Sequence, residues 1–250
     1  MMSADLHSYD SDGTTASGRV FTLPESVSSS SPGLPVRPAL LGPARLFRYR
    51  AVKRILDVAL VLIASPFLFL LVLVVAAAIR LDSPGPIFFS HRRIRGHGTF
   101  FTMWKFRTMC LNSAELLDEH LAANPAARSE WSQFHKLRND PRVTRVGRFL
   151  RRSSLDELPQ LWNVLTGAMS LVGPRPIVAA EVEKYGDHFA DYCMVKPGIT
   201  GLWQVSGRSG TGYQQRIQLD RKYVQNWSLC GDLIILARTP RSVIRQVGAY

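Results

Sequence analysis

Two adjacent carboxylates, Asp156 and Glu157, are the residues of this sequence best placed to do chemistry. They follow Arg151 and Arg152 and precede Pro159, which lacks a backbone N–H and is tolerated in a helix only near its start. The sequence therefore predicts a helix that begins a few residues upstream of Pro159, with both acids in its first turn. The free N–H groups and the dipole at that end stabilise a carboxylate and attract phosphate.

A helix cap is the competing explanation for these acids. Ser154 and Glu157 match a capping box, in which each side chain bonds to the backbone N–H of the other residue. Acidic residues in a first turn are common helix signals in any protein. The local pattern alone therefore leaves a purely structural role open.

Basic residues held by prolines and glycines lie in two later segments. Arg175 stands between two prolines, which restrict its backbone and make its guanidinium a suitable clamp for an oxyanion. The segment 195–208 joins turn glycines to Lys196 and Arg208, as a loop around a phosphorylated ligand would. Each segment alone could be an ordinary turn. Combined with the acid pair, they indicate a site for phosphate chemistry.

The elements that position these residues are preceded by a segment suited to a membrane. Residues 58–79 carry no charge and, as a helix, reach about 33 Å, enough to cross a hydrocarbon core of about 30 Å. A single crossing is the simplest interpretation, but Ser65 and Pro66 predict a break near the middle. Basic residues flank both sides, and such flanks stay in the cytoplasm. We therefore expect a re-entrant hairpin over 45–82, with Ser65 satisfying a carbonyl that Pro66 leaves free.

Composition limits the class of protein. The 250 residues are 46% hydrophobic, enough for a substantial core, and a net charge of +12 requires an anionic partner such as nucleic acid, phospholipid or a phosphorylated substrate. Three widely spaced cysteines without a CxxC pair indicate neither disulfides nor a zinc site. Residues 1–44 are rich in Ser, Gly and Pro, lack a signal-peptide pattern, and are predicted to be a disordered tail.

The rest of the chain, 83–250, is predicted to be a small α+β domain that is mostly helical. We expect strands at 87–89 and 100–104, and helices at 112–123, in a piece ending before Asp140, and at 146–150, 158–165, 177–185 and 224–247. The last of these is apolar and basic by turns, so it either packs on the core or lies as an amphipathic helix in the membrane interface.

Four blocks of this sequence resemble the bacterial sugar transferases, also called monotopic phosphoglycosyl transferases. They are Lys105–Met109, Ser154–Leu161, Val172–Pro176 and Lys196–Gly201. The similarity runs from about Lys53 to the C-terminus in the family's order, and is greatest to the compact members that initiate exopolysaccharide repeat units. It implies a re-entrant hairpin broken at Ser65 and Pro66, and a catalytic domain at the cytoplasmic face of the bacterial inner membrane.

The resemblance also implies a reaction: transfer of a hexose 1-phosphate from a UDP-sugar to undecaprenyl phosphate, with release of UMP. Asp156 matches the nucleophile, which needs no separate base when ionised and lets donor and lipid acceptor use one site in turn. Glu157, with Asp156, matches the ligands of Mg²⁺, or of Mn²⁺ in its place. Arg151 matches an arginine beside the nucleophile. Matches to substrate-binding residues are Lys105, Arg175, Arg208 and Asp232.

Other functions fit the sequence less well. A glycosyltransferase that forms a glycosidic bond would be expected to carry an Asp-x-Asp motif, and the only such triplet, Asp10–Asp12, lies in the predicted tail. A basic, membrane-tethered nucleic-acid-binding protein or an inactive scaffold is the alternative from another class. No helix-turn-helix, RRM or zinc pattern supports nucleic acid as a partner. The loop 209–213 favours glucose or galactose as the sugar, and a homodimer is compatible with these expectations.

Overall fold

A computed structural model describes residues 47–134, 136–207 and 212–244. The predicted tail, Arg208 and residues 209–211 of the predicted sugar loop lie outside the described residues. Within these ranges the chain is mostly helical, with four short strands in two separate sheets, which confirms the predicted class. The helices are α1 (Phe47–Asp82), α2 (Ser113–Ala123), α3 (Pro125–Phe134), α4 (Arg145–Ser153), α5 (Gln160–Leu165), α6 (Val182–Tyr185), α7 (Phe189–Tyr192), α8 (Leu202–Val205), α9 (Tyr213–Gln225) and α10 (Leu229–Ile244), and the strands are β1 (Phe88–Ile94), β2 (Phe100–Phe106), β3 (Ser170–Val172) and β4 (Gly198–Thr200).

The apolar segment forms one helix, α1, of 36 residues. Among the described residues it is the one helix long and apolar enough to cross a membrane. The helix continues through Pro66, whose missing N–H leaves the carbonyl of Leu62 without its helical donor. Ser65 Oγ donates to that same oxygen at 2.7 Å, so the predicted compensation is present.

The N-terminal half of α1 is bonded to the rest of the domain by three charged residues. Lys53 Nζ lies 2.5 Å from Asp232 Oδ2, and the Arg54 guanidinium donates to the carbonyl oxygens at the end of α5. Asp57 accepts a hydrogen bond of 2.7 Å from Ser170 Oγ on β3. These contacts bond the start of α1 to α5, β3 and α10.

The C-terminal end of α1 also packs on the domain. Val75 and Ile79 join a buried cluster with Phe106 and Leu150, and Asp82 accepts a bond of 3.0 Å from the backbone of α4. Between the packed ends, apolar side chains are exposed, with Ile63 at 78% and Phe67 at 71%. Both ends of α1 therefore contact one compact domain, while its middle presents an apolar surface.

Strands β1 and β2 form an antiparallel hairpin in which Phe89 pairs with Lys105 and Arg93 pairs with Phe101. Both strands are longer than the predicted 87–89 and 100–104, because β1 continues to Ile94 and β2 to Phe106, and the turn covers only residues 95–99. Because side chains alternate across a strand, Arg93 and Lys105 lie on the same face of this hairpin.

Strands β3 and β4 are parallel and were not predicted, because the two segments were interpreted only as ligand-binding turns. Ser170 pairs with Gly198, and Val172 pairs with Thr200. A Cβ atom at Gly198 would clash with the backbone nitrogen of Gly173 and lie 2.7 Å from its Cα. The two strands therefore approach each other at a pair of glycines.

The helix predicted over 224–247 begins later than predicted, and its last residues, 245–247, lie outside the described residues. The chain forms α9 and α10 instead, separated by residues 226–228, and Trp227 between them is buried in a cluster with Val172, Tyr223 and Ile235. Burial of the Trp227 indole explains the break, since one continuous helix would not place that side chain in this cluster.

Candidate active site

The two adjacent carboxylates lie in the first turn of a short 3₁₀ helix, as predicted, and not in the α-helix that follows it. Ser154 ends α4 in the left-handed conformation with φ 57°, residues 155–157 form one 3₁₀ turn, and α5 begins only at Gln160. Ser154 makes no side-chain capping bond, so the capping box is not formed there. A left-handed serine is uncommon and costs about 1 kcal/mol or more, and such residues cluster at functional sites.

Lys105 on β2 is a cation that bonds to the acid pair and stabilises its negative charge. Its Nζ lies 2.8 Å from Glu157 Oε1 and 3.5 Å from Asp156 Oδ2. Burial raises the pKa of the Asp156 carboxyl, with Lys105 and Arg151 lowering it and Glu157 raising it. The result is a buried carboxylate whose charge is offset by Arg151 and by the Lys105 ammonium, which bridges it to Glu157.

Arg151 on α4 is held beside this pair. Its Nε donates to Thr108 Oγ1 at 2.9 Å, and its charge lowers the pKa of Asp156. Gly147 on the same helix packs so closely on the backbone of Thr108 that a Cβ there would lie 2.8 Å from the threonine Cα. That close packing fixes α4, and Arg151 with it, against the end of β2.

Arg175, which follows the acid pair in the sequence, also lies close to it. Its Nη2 lies 3.8 Å from Glu157 Oε1, and its side chain is 38% exposed. A small cleft between β1, β4 and α5 is lined by Arg93, Met103, Glu157, Gln160, Arg175, Pro176, Gly198 and Ile199. Arg175, the predicted oxyanion-binding residue, therefore lines the same cleft as Glu157.

Asp232 is placed elsewhere, in a buried polar group at the start of α1. Its carboxylate bonds to Lys53 at 2.5 Å, to the Tyr223 hydroxyl at 2.9 Å and to the Trp227 indole at 2.9 Å. These bonds connect α10 to α1 and α9, a different set of partners from that of Asp156. Substrate binding by Asp232 stays a prediction, and Arg208 lies outside the described residues.

A divalent cation would have to be held by the acid pair and the substrate together. Among residues 47–134, 136–207 and 212–244, no group of three or more His, Cys, Asp or Glu side chains could hold a metal ion. Mg²⁺ commonly binds through one or two carboxylates plus phosphate oxygens and water. Asp156 and Glu157 are adjacent, and Glu157 lines the cleft. The pair therefore fits a site in which the protein supplies two carboxylates and the substrate supplies the remaining oxygen ligands.

Sequence reasoning missed Arg93 and Arg216, which lie close to the cleft. Arg216 on α9 is buried over the Trp203 ring, with 5.2 Å from Cζ to the ring centroid, and its Nη1 lies 3.2 Å from Glu181 Oε1. Arg93 carried no local signal, because it lies beyond the strand predicted at 87–89 and only the strand register places it on the face of Lys105. No signal existed for Arg216 either, because α9 was not predicted.

Comparison with known proteins identifies the family of this chain. Residues 48–246 match the family described as bacterial sugar transferase. The chain is 50% identical over 205 residues, 80% of its length, to an undecaprenyl-phosphate galactose phosphotransferase of Salmonella typhimurium, and covers 42% of that protein. It is 46% identical over 198 residues, 79% of its length, to the exopolysaccharide production protein ExoY of Sinorhizobium fredii, and covers 88% of it.

A third relative is the UDP-glucose:undecaprenyl-phosphate glucose-1-phosphate transferase of Xanthomonas campestris, with 42% identity over 206 residues, 79% of this chain and 40% of that protein. The chain thus spans about two fifths of the length of the first and third of these relatives. With a family match across most of its length, the chain belongs to the bacterial sugar transferases.

Replacing Lys105 by methionine is expected to lower turnover by about 10- to 100-fold, the range of one charge-assisted hydrogen bond. The two carboxylates would then lie side by side without their shared cation. Lys105→Arg should retain part of the activity, and Lys222→Met, on the exposed end of α9, serves as the matched control. Steady-state turnover checks this, and equal rates for both methionine variants would contradict it.

Proposed function

We propose that this chain is an undecaprenyl-phosphate hexose-1-phosphate transferase that uses a UDP-sugar as donor, with glucose or galactose favoured. The observation that carries the proposal is the Lys105 ammonium, which bonds Glu157 and lies 3.5 Å from Asp156 beside the guanidinium groups of Arg151 and Arg175. A carboxylate surrounded by phosphate-binding cations is the arrangement that attack on phosphorus requires.

In the first step, an Asp156 carboxylate oxygen attacks the phosphorus that carries the sugar, and the bond from that phosphorus to the UMP oxygen breaks. UMP leaves, and the hexose phosphate remains on Asp156 as an acyl phosphate. In the second step, a phosphate oxygen of undecaprenyl phosphate attacks the same phosphorus, and the Asp156 carboxylate is released. Both steps displace an oxygen anion, so neither needs a general base.

Cations are required because the donor diphosphate and the leaving UMP are both anionic. Lys105 and Arg151 are placed to neutralise charge at the attacked phosphorus, and Arg175 to bind the diphosphate from the cleft. Mg²⁺ or Mn²⁺, held by Glu157 with Asp156, would supply further charge neutralisation as UMP leaves.

The test of the reaction is UMP release by the purified chain in detergent, with UDP-glucose, UDP-galactose and their N-acetylated counterparts, undecaprenyl phosphate and magnesium. We expect release with at least one donor, dependent on the lipid for multiple turnover. No release with any donor, together with salt-dependent binding of DNA, would instead support the basic binding protein.

We also propose that α1 is re-entrant at the cytoplasmic face of the inner membrane. Its two ends pack on one compact domain, both flanks are basic, and its exposed apolar residues lie between the packed ends. Exposed apolar residues on α4 and α10, such as Phe149 and Ile244, lie on helices rich in arginine and suit the membrane interface. A homodimer stays a prediction.

Cysteine labelling tests the topology. In a chain whose cysteines 110, 193 and 230 are replaced by serine, Val52→Cys and Leu81→Cys place single thiols at exposed positions before Arg54 and after Arg80. A membrane-impermeant maleimide should label both in inverted vesicles and neither in spheroplasts. Labelling of the two thiols from opposite sides would mean that α1 spans the membrane.

A further inference from the structure

Arg93 on β1 faces the cleft that contains Glu157 and Arg175, and no role has yet been given to it. Antiparallel pairing with Phe101 places its side chain on the hairpin face that also carries Met103 and Lys105. Its neighbour Arg92 lies on the opposite face, where its guanidinium covers the Phe100 ring at 5.0 Å. One strand thus presents one arginine to the cleft and one away from it.

The surroundings of Arg93 hold it in place without neutralising it fully. Its Nη1 lies 3.8 Å from Glu181 Oε2, while the other oxygen of that carboxylate is 3.2 Å from Arg216. One carboxylate is therefore shared by two guanidinium groups. Glu181 is itself fixed, because it accepts a bond of 3.0 Å from the backbone N–H of Val178.

Donor groups and positive charge remain available at this end of the cleft. Arg93 Nε is buried and has no hydrogen-bond partner among the described residues, and the same holds for Arg216 Nη2. The charge of Arg175 is close enough to Arg93 to lower the pKa of its guanidinium, after the larger effect of burial. Asp220 is a second carboxylate at this end, 3.9 Å from Arg216 Nε, whereas the ion pair of Arg93 among the described residues is the 3.8 Å contact with Glu181. The unpartnered donors of Arg93 and Arg216 suit a bound anion.

We propose that Arg93 is a further substrate-positioning residue, which binds the phosphate of the nucleotide that departs as UMP. The inference rests on the proposed function. Lys105 and Arg151 lie beside Asp156 and thus the attacked phosphorus, whereas the ion pair of Arg93 is with Glu181, and Arg93 lines the cleft together with Arg175 and Glu157. The second phosphate of the diphosphate, on the nucleotide side, is the group that this more distant guanidinium would meet.

The experiment compares Arg93→Ala, Arg93→Lys and the matched control Arg92→Ala. Affinities for UDP, UMP and uridine are measured by titration calorimetry, and UMP release is measured over a range of UDP-sugar and undecaprenyl phosphate concentrations. Thermal unfolding of each variant shows whether it is folded, and the ratio of UDP to uridine affinity is a readout that a purely structural role would not move.

For Arg93→Ala we expect UDP and UMP affinity to fall on the order of 10- to 100-fold, with uridine affinity unchanged. KM for the UDP-sugar should rise while KM for undecaprenyl phosphate stays the same. Arg93→Lys should recover part of the loss, since it restores charge without the planar fork. Arg92→Ala should match the wild type.

Two failures are distinguishable. If the wild type binds UDP much more tightly than uridine and Arg93→Ala keeps that preference, the role of Arg93 is wrong and the proposed function stands. If the wild type shows no preference for UDP and releases no UMP, the proposed function itself fails. Equal losses in UDP and uridine affinity would assign Arg93 to structure alone and overturn the inference.

Discussion

Asp156→Asn is expected to lower UMP release by at least about a thousandfold and to prevent any covalent intermediate. An amide has nearly the shape of the carboxylate but lacks its nucleophilic oxygen anion, and removing a covalent nucleophile commonly costs this much or more. The fold should persist, since Lys105 keeps its bond of 2.8 Å to Glu157.

The direct measurement is intact mass after incubation with UDP-sugar and magnesium in the absence of lipid. The wild type should gain the mass of one hexose phosphate and Asp156→Asn none. Glu157→Gln should still form the adduct, more slowly, because the proposed role of Glu157 is to hold the cation. Asp187→Asn, at an exposed turn, controls for loss of a carboxylate elsewhere, and an adduct on the Asp156→Asn protein would exclude Asp156 as nucleophile.

Gly198→Ala is expected to give the largest loss of stability, about 3 kcal/mol, and to lower activity with it. The new Cβ would strike the backbone nitrogen of Gly173 and lie 2.5 Å from the carbonyl oxygen of Thr200. Neither is the movable end of a side chain, so β3 and β4 must separate. Arg175 follows Gly173 and Pro174 in the chain, so it would be displaced from the cleft.

Thermal unfolding in detergent and UMP release together check this prediction. The matched control is Gly212→Ala, because a Cβ there meets nothing within 4 Å and its φ of −59° suits alanine. We expect the control to unfold and react like the wild type. A Gly198→Ala protein as stable as Gly212→Ala would show that β3 and β4 are not packed as closely as described.

Patterns within short stretches were sufficient to identify much of this protein. The length and apolarity of α1, the compensation of Pro66 by Ser65, and the start of α2 after Asn112 all follow from neighbouring residues, and the structure agrees. The motif blocks were sufficient for the family, since the match over residues 48–246 confirms the resemblance.

Expectations failed where a contact distant in sequence decided the local structure. The acids at 156 and 157 lie in a short 3₁₀ helix that ends before α5 begins, β3 pairs with β4 across the gap between residues 172 and 198, and Trp227 interrupts the last helix. None of these features can be predicted from patterns of neighbouring residues. Each depends on which distant segment packs against which.

The sequence by itself determined the family, the apolar segment and the identity of the acid pair, because those properties reside in residue types and short spacings. Only the tertiary structure decided that Lys105 joins the pair, that Arg93 and Arg175 share a cleft with Glu157, and that Asp232 bonds at the base of α1. Charges act through distances in space, and the lysine that lies 2.8 Å from Glu157 is 52 residues away in the chain.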